Sequence, residues 1–303
     1  MTSRPITLVE VGPRDGLQND PTLLDVPTKL ELIERLVACG ARRIEAVSFV
    51  NPARVPQMAG AEEIMAARPG AGAAALIGLA LNAKGVERAL AAGCDEINFV
   101  VCATDSFGVR NQGATPADSL KVLGETAPLV LAKAVPLSVT ISVAFGCPFE
   151  GEVDAGAVAA IAAEAAACGA DEIALGDTIG VADPWTVRDL TMRLRQAAPS
   201  ARLRMHFHNT RNTALANAFA AIESGVDVLD SSVGGIGGCP FAPKATGNVA
   251  TEDLVYMLER AEFSTGLDLD RLIATAHWLE GALRHGVPSM LAKAGPFPTP
   301  RTV

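Results

Sequence analysis

Short apolar runs rich in β-branched residues alternate with amphipathic stretches along almost the whole chain. Apolar runs of about four to eight residues between turn signals predict buried strands, whereas apolar positions three and four residues apart predict helices. Eight strands are predicted on this basis: Ile6–Val11, Arg43–Phe49, Ala74–Leu81, Glu96–Cys102, Leu137–Ala144, Glu172–Leu175, Leu203–His208 and Val226–Ser231. Strands that alternate with helices in this way favour a parallel sheet covered by helices.

Local signals predict where several helices begin. Thr28 and Glu31 have the spacing of a capping box, in which the two side chains satisfy backbone amides of the first turn. Asp154 precedes an alanine-rich helical stretch. Asp183 precedes Pro184, and proline is tolerated in a first turn because the N–H that it lacks has no helical partner there. We therefore expect N-caps at Thr28, Asp154 and Asp183.

A short motif recurs at four junctions between a predicted helix and the next strand. In each, a glycine ends the helix and an Ile or Leu lies four residues later inside the strand; the glycines are Gly40, Gly93, Gly169 and Gly225. They precede strands two, four, six and eight, a regularity expected of a closed barrel and not of an open sheet. The sequence therefore predicts the α/β class with a single (β/α)8 TIM-barrel catalytic domain over residues 1–303. The barrel would occupy about 5–250, and closing helices with a tail about 251–303.

Composition and charge narrow the class of protein. The net charge of −9, without any basic run, argues against nucleic-acid binding. Six cysteines without a CxxC pair favour reduced thiols, and the N-terminal segment lacks a secretory pattern. No uncharged apolar run reaches about 18 residues, so no membrane span is predicted. We expect a cytoplasmic protein that binds neither nucleic acid nor membrane.

Polar residues cluster near the predicted carboxyl ends of the strands, where the catalytic residues of TIM barrels lie. They are Arg14, Asp15 and Gln18 after strand one, Glu45 within strand two, Asp177 after strand six, His206 and His208 in strand seven, and Cys239 and Asn248 in the glycine-rich loop after strand eight. Because the carboxyl ends of parallel strands meet at one mouth of a barrel, we expect these side chains to converge.

The pair His206 and His208 predicts a metal site. Residues i and i+2 of a strand project to the same side, about 6.5 Å apart. Two imidazoles with one carboxylate, and the amide oxygen of Asn248 as a fourth candidate, suit Mg²⁺, Mn²⁺ or Co²⁺ with positions left open for substrate oxygens. Such an ion polarises a carbonyl and a neighbouring alkoxide together.

The other polar residues suggest what reaction the ion would assist. A cationic Arg14 beside it would stabilise an enolate as negative charge develops. Asp177 or a histidine would move a hydroxyl proton, and a glycine-rich loop carrying Cys239 would close over the substrate and supply a proton. The set predicts metal-assisted cleavage or formation of a carbon–carbon bond through an enolate.

Each of these residues also has an explanation that involves no catalysis. Arg14 and Asp15 are compatible with an ion pair in a surface turn. Glu45 fits a barrel carboxylate paired with an arginine, and Asp177 fits a helix cap. Cys239 fits a small packed thiol, and two histidines in a strand fit partly buried, hydrogen-bonded side chains. The convergence of the whole set on one predicted mouth is what favours a site.

Five longer strings carry a resemblance to a known family. They are VEVGPRDGLQND, IEAVSFVNPARVPQMAG, FGCPFEG, EIALGDTIGVADP and GGCPFAPKATGNVATEDLVYML, of which the last is the most specific. The chain resembles 3-hydroxy-3-methylglutaryl-CoA lyase, a family of metal-dependent barrel lyases related to Claisen-type synthases. The resemblance implies retro-Claisen cleavage of 3-hydroxy-3-methylglutaryl-CoA, or a close analogue, to acetyl-CoA and a 3-keto acid (acetoacetate). It also implies an acyl-CoA substrate, a Mg²⁺ or Mn²⁺ cofactor, a homodimer and a place in leucine catabolism.

The resemblance further implies a role for most residues at the predicted mouth. The metal ligands would be Asp15, His206 and His208, with Asn248 as the further ligand. Arg14 would neutralise the enolate of acetyl-CoA and Glu45 would orient Arg14. Asp177 and His206 would manage protons, and Cys239 would lie on a mobile lid. For the substrate we expect contacts from Arg14, Gln18, Lys84 and Asn248, and Arg110 is a second candidate beside Lys84 for the CoA phosphates.

Three positions depart from the family pattern and leave the acyl group open. Asn209 replaces the aspartate of the usual HxHDT string, Arg211 replaces an uncharged residue, and Lys244 replaces a small residue of the glycine-rich loop. Citramalyl-CoA and isohexenylglutaryl-CoA are therefore alternative substrates. Two alternative classes of protein remain. One is a Claisen-type synthase, because the string HFHNT partly matches the HxHN pattern of those enzymes. The other is a non-catalytic barrel that binds acyl-CoA.

Overall fold

Eight parallel strands among the described residues close into a barrel. The structure is a computed structural model that describes residues 4–70, 72–238 and 247–297. The strands are β1 (Thr7–Glu10), β2 (Arg43–Ser48), β3 (Ala75–Ala80), β4 (Glu96–Cys102), β5 (Leu137–Ser142), β6 (Glu172–Asp177), β7 (Arg202–Phe207) and β8 (Val228–Ser231). Each pairs with its neighbour in chain order, and β8 pairs with β1. The predicted (β/α)8 TIM barrel is confirmed, and every predicted strand overlaps an observed one.

Helices follow the strands and cover the barrel. They are α1 (Val26–Ala38), α2 (Ala61–Ala66), α3 (Ala83–Ala91), α4 (Asp105–Gln112), α5 (Pro116–Leu131), α6 (Ala155–Ala167), α7 (Pro184–Ala197), α8 (Ala214–Glu223), α9 (Thr251–Arg260), α10 (Leu269–Leu283) and α11 (Leu291–Ala294). Short helical turns lie at Gly12–Gly16, Pro56–Met58 and Val233–Gly235. The predicted closing helices are present: α10 packs against α1, and the Asp268 N–H donates to the Cys39 carbonyl at 2.8 Å.

Two of the three predicted helix caps are confirmed. Asp154 and Asp183 each accept two backbone N–H groups at the start of α6 and α7. The prediction of a cap at Thr28 is wrong, because Asp25 accepts the Thr28 N–H at 2.9 Å and caps the helix. Pro27 explains the difference, since proline is stable in the first turn of a helix and a helix that began after Thr28 would leave it outside.

The four junction glycines adopt the conformation that the motif predicts. Gly40, Gly93, Gly169 and Gly225 have φ angles of 99°, 74°, 96° and 88°. This left-handed region is open to glycine and strained for residues with a Cβ, and it ends a helix by turning the chain out of the helical path. Each junction therefore delivers the chain from the outer helix into the next strand of the barrel.

Charged side chains occupy the barrel interior below the mouth. Arg43 at the start of β2 pairs with Glu96 and Glu172, at the starts of β4 and β6, at 2.8 and 2.9 Å. Arg204 in β7 is fully buried and its Nε lies 3.4 Å from Glu172. Interior positions of a TIM barrel are more often filled by branched apolar residues. The polar interior of this barrel thus forms a charged layer beneath the residues at its mouth.

Among the described residues, none of the helices combines the length and the apolar character needed to cross a bilayer. The assignment of the whole chain to a single domain stays a prediction.

Candidate metal centre and active site

The structure brings together the three residues that the sequence predicts as the main metal ligands. Asp15 lies in the turn after β1, His206 lies in β7, and His208 follows that strand on the same side. Asp15 Oδ2 is 3.8 Å from His206 Nε2 and 3.7 Å from His208 Nε2. The three potential ligand atoms all lie within 4.8 Å of one another. A carboxylate and two imidazole nitrogens this close suit one shared divalent cation.

Asn248 lies beside this group because of backbone pairing between two loops. His208 and Asn248 form an antiparallel bridge, and the Asn209 N–H donates to the Gly247 carbonyl at 2.8 Å. The Asn248 side-chain Nδ2 donates to Asp15 Oδ2 at 2.8 Å. Its Oδ1 is buried and has no hydrogen-bond partner among the described residues. The amide is therefore in place beside the predicted ligands and retains an unused acceptor.

The charge of the buried cluster also fits a divalent cation. Around and below the site, three guanidinium groups and five carboxylates are linked by ion pairs. They are Arg14, Arg43 and Arg204, with Asp15, Glu45, Glu96, Glu172 and Asp230. When all of them are ionised and both imidazoles are neutral, the cluster has two carboxylates in excess, and a single ion of charge +2 neutralises them. Because uncompensated charge is costly away from water, the cluster favours a bound divalent cation.

Arg14 is held from two sides. Its guanidinium donates to Asp15 Oδ1 at 2.7 Å and to Glu45 Oε1. Glu45 is almost fully buried, and its other oxygen accepts from Asn98 Nδ2 at 2.6 Å. Burial opposes the Arg14 charge, but Glu45 and Asp15 outweigh it and raise the pKa of Arg14. Arg14 is therefore a fixed, permanent cation at the edge of the candidate metal site.

The pKa values of the two histidines are shifted in opposite directions because their neighbours differ. Burial disfavours a charged His206, but a hydrogen bond to Asp230 and the charge of Asp15 outweigh burial and raise its pKa. For His208, burial and the neighbouring His206 lower the pKa to about 4. Burial also opposes ionisation of Asp15, but Arg14 and the two imidazoles lower its pKa. At neutral pH the site therefore offers a carboxylate and at least one neutral imidazole, which are the forms that bind metal.

Asp177 is not brought to the cavity. Gly176 lines the cavity and side chains alternate along β6, so Asp177 faces the opposite side. Its carboxylate accepts the Val181 N–H at 2.8 Å and the Ala182 N–H at 3.1 Å. Burial raises the pKa of Asp177 to about 6. These contacts anchor the loop after β6. They resemble a helix cap in that a carboxylate accepts backbone N–H groups. The role of Asp177 in proton transfer stays a prediction.

A cavity opens directly above the ligand group. Gln18 lines it together with Arg14 and Asp230, and its contact with substrate stays a prediction. The remaining wall combines apolar side chains with hydroxyls from β5 and the loop after β6; it includes Val50, Leu79, Leu81, Val100, Thr140, Ser142 and Thr178. Lys84 lines an adjoining groove instead. Cys239 and Lys244 lie outside the described residues.

Neither of the two described departures from the family pattern lines the cavity. Arg211 Nη1 donates to the carbonyls of Ile179 and Gly180 at 2.9 and 2.8 Å. Asn209 Oδ1 accepts the Ala214 N–H at 3.3 Å, at the start of α8. The extra positive charge of Arg211 is therefore directed at the backbone of the loop after β6.

Sequence reasoning missed three residues that support the site. Asp230 binds the Nδ1 edge of His206 at 3.1 Å, Asn98 binds Glu45, and Arg204 lies next to Asp230. Asn98 and Asp230 interrupt largely apolar strands, and Arg204 is a charged residue between the apolar Leu203 and Met205. That interruption of the apolar pattern is the signal that could have found them.

Comparison with known proteins decides the family. The HMGL-like family model matches residues 5–279. The chain belongs to the HMGL-like family. The (R)-citramalyl-CoA lyase of Chloroflexus aurantiacus is 44% identical over 96% of this chain and 95% of the relative. The 3-hydroxy-3-isohexenylglutaryl-CoA/hydroxymethylglutaryl-CoA lyase of Pseudomonas aeruginosa is 42% identical over 95% of this chain and 96% of the relative.

A solved structure agrees with this placement. The HMG-CoA lyase of Acinetobacter baumannii, solved in complex with coenzyme A and 3-methylmalate, superposes with a TM-score of 0.94. It is 37% identical, and the match covers 99% of this chain and 98% of that one. This HMGL-like chain is therefore a lyase of the HMG-CoA lyase family, for which an acyl-CoA substrate is fitting.

Proposed function

We propose that this lyase uses a bound Mg²⁺ or Mn²⁺ to cleave 3-hydroxy-3-methylglutaryl-CoA, or a close analogue, to acetyl-CoA and a 3-keto acid, acetoacetate for the parent substrate. The observation that carries the proposal is the convergence of Asp15, His206 and His208 beside the guanidinium of Arg14 in one cavity. Metal ligands next to a fixed cation are what an enolate-forming cleavage requires.

The reaction breaks the bond between C2 and C3 of the acyl chain. The 3-hydroxyl loses its proton and becomes the carbonyl of the keto acid, while the bonding electron pair moves to C2 and forms the enolate of acetyl-CoA. Protonation at C2 then completes the second product. When bound, a divalent cation polarises the oxygens of the reacting hydroxyl and carbonyl.

The residues of the chain divide the remaining work. Arg14 stabilises the enolate oxygen, and Glu45 keeps the guanidinium oriented so that it need not reorganise as charge develops. The proton of the 3-hydroxyl is taken up on the side of the cavity that His206 lines, whereas Asp177, the other predicted acceptor, faces away from the cavity. Cys239 supplies the proton to C2.

A groove beside the cavity supports the proposal that CoA binds with its phosphates near Lys84. The groove and the cavity share the wall residues Val50, Val55, Leu81 and Asn111 and are therefore continuous. Lys84 lies in the groove with Arg54 and Arg88. Arg88 pairs with Glu62, so Lys84 and Arg54 supply the local basic patch that a chain of net charge −9 needs. Arg110 lies instead over the Phe149 ring at 4.2 Å.

Substitution of Lys84 tests this groove. We expect Lys84→Ala to raise KM for the CoA thioester about tenfold with little change in kcat, because a lost phosphate contact weakens ground and transition states alike. Lys133→Ala is the matched control, since Lys133 is exposed in the turn before β5, at the opposite end of the barrel. Equal KM values for both variants would place the phosphates elsewhere.

The acyl group is tested with a panel of thioesters. The purified protein is incubated with Mg²⁺ and 3-hydroxy-3-methylglutaryl-CoA, (R)-citramalyl-CoA or 3-hydroxy-3-isohexenylglutaryl-CoA, and the release of acetyl-CoA and keto acid is followed. We expect the glutaryl thioester to give acetoacetate and EDTA to abolish turnover. Preferred cleavage of (R)-citramalyl-CoA would select the alternative that the Chloroflexus relative favours. Turnover that persists without metal would overturn the metal-dependent mechanism.

We also propose that the enzyme is cytoplasmic, as the sequence predicts, and a homodimer, as the family resemblance implies. Light scattering on the purified protein tests the assembly, and a monomer at micromolar concentration would contradict it.

A further inference from the structure

Asp230 lies behind His206, at the edge of the imidazole opposite the metal site. Asp230 Oδ2 is 3.1 Å from His206 Nδ1, while Nε2 of the same ring is 3.8 Å from Asp15 Oδ2. Asp230 and His206 are both buried. A Nδ1–H that donates to Asp230 keeps the proton on that nitrogen, so the lone pair of Nε2 is left for the side where the ligand atoms converge.

Arg204 is a fully buried cation next to Asp230. It precedes His206 by two residues in β7, so both side chains project into the barrel. Arg204 Nε is 3.4 Å from Asp230 Oδ1 and equally far from Glu172 Oε1. Among the described residues, neither Arg204 Nε nor Asp230 Oδ1 has a hydrogen-bond partner. Arg204 therefore acts on Asp230 through its charge and not through a directed hydrogen bond.

The two neighbours of Asp230 face different oxygens of its carboxylate. His206 contacts Oδ2, and Arg204 lies nearest Oδ1. This arrangement orients the carboxylate between a hydrogen-bond donor and a cation. An amide at the same position cannot accept from both neighbours. Its oxygen is drawn to the cation, and its NH₂ group is then left facing the imidazole.

We propose that Asp230 and Arg204 form a positioning pair that holds His206 in the Nδ1–H tautomer, with Nε2 free to bind the metal. The inference rests on the metal site of the proposed function. It adds two residues beneath that site, of which Arg204 has no contact with the ligand group, and it gives both a role in metal affinity.

Asp230→Asn is the direct test. With Arg204 holding the amide oxygen, the NH₂ group donates to His206 Nδ1 and forces the proton onto Nε2, which blocks metal binding. We expect Mn²⁺ affinity, measured by calorimetry and by electron paramagnetic resonance without substrate, to fall by about 10- to 100-fold. Asp227→Asn is the matched control, because Asp227 pairs with Arg202 at the exposed start of the same strand segment. Its Mn²⁺ affinity should equal that of the wild type.

The double variant Arg204→Met/Asp230→Asn separates positioning from general damage. Without the cation the amide can rotate, so its oxygen can again accept from Nδ1–H. We expect the double variant to bind Mn²⁺ about tenfold more tightly than Asp230→Asn alone. A merely structural role would make the second substitution additive and the double variant worse.

The tautomer is read directly in metal-free protein by ¹⁵N NMR of labelled histidine at a pH above the raised pKa of His206, where the imidazole is neutral, with His206 assigned by comparison with His206→Gln. The wild type should carry the proton on Nδ1 and Asp230→Asn on Nε2. An unchanged tautomer, or wild-type Mn²⁺ affinity in Asp230→Asn, would overturn the positioning role. Wild-type protein that binds no Mn²⁺ would instead overturn the metal site of the proposed function, while the NMR result would still decide the tautomer.

Discussion

Replacing Arg14 by methionine separates its catalytic effect from its structural one. Arg14 contacts Asp15 and Glu45, and Glu45 is 1% exposed. Methionine keeps most of the volume of the side chain and removes the cation. Glu45 is then left as a buried carboxylate whose remaining side-chain donor is Asn98.

The structural cost follows from that stranded carboxylate. Removing one partner of a buried ion pair destabilises a protein by about 3–5 kcal/mol. We expect the lower end for Arg14→Met, about 3 kcal/mol, since Asn98 still donates to Glu45. Adding Glu45→Gln removes the stranded charge, so the double variant should recover most of the free energy of unfolding. Urea denaturation followed by circular dichroism measures both values.

The catalytic cost should not be recovered by the second substitution. Loss of one preorganised group that stabilises an oxyanion lowers kcat by about 10²–10³, and the enolate has no replacement cation in either variant. Acetyl-CoA formation from 3-hydroxy-3-methylglutaryl-CoA is measured at saturating Mg²⁺. Mn²⁺ binding is measured in parallel and should persist, because Arg14 and Glu45 lie outside the proposed ligand set.

Two results would refute this reasoning. A double variant with kcat within tenfold of the wild type would remove Arg14 from enolate stabilisation. Single and double variants that unfold at the same urea concentration would mean that Glu45 is not left uncompensated.

Three further predictions concern metal binding and pH. His208→Ala should weaken Mn²⁺ binding by about 100-fold or more, since a direct ligand contributes at least as much to affinity as a residue that only hydrogen-bonds to a ligand. Calorimetry measures this affinity, and an undiminished value would show that His208 is not a ligand. Mn²⁺ affinity of the wild type should fall as pH drops through the raised pKa of His206, because protons compete for the imidazole; titrations at pH 8 and 6 that give equal affinity would contradict it. Burial raises the pKa of Glu10 from 4.5 to about 7, so the folded protein holds this proton more tightly than the unfolded chain and stability falls as pH rises through that window. Relative to Glu10→Gln, the metal-free wild type should therefore lose on the order of 3 kcal/mol of its free energy of unfolding between pH 4.5 and pH 7. If the free energies of unfolding of the two proteins change equally with pH, the pKa of the Glu10 carboxyl is not perturbed.

The barrel was predictable because its signals are local. An apolar run, a helix cap or a junction glycine such as Gly40 depends on residues a few positions apart, and the backbone of one unit responds to them without reference to the rest of the chain. The helix before β2 shows how fine this dependence is, since Pro27 moves the cap from Thr28 to Asp25.

Part of the site was predictable for the same reason. The spacing of His206 and His208 sets both imidazoles on one side of β7, whatever surrounds that strand. The position of Asp15 follows from the geometry of a parallel barrel, in which every strand delivers its carboxyl end to the same mouth.

Other features depend on how strands are registered against each other, and only the folded barrel decides them. Gly176 pairs in register with His206 and lines the cavity, so Asp177 is turned away from it. Asp230 reaches His206 across 24 residues of sequence. Such a contact depends on strand order and shear, and a single chain carries no local signal for either. The amino-acid pattern alone thus determined the architecture and the candidate metal-binding pair, whereas the tertiary structure selected the buried charges that lie around that pair, because electrostatic partners are chosen by distance in space.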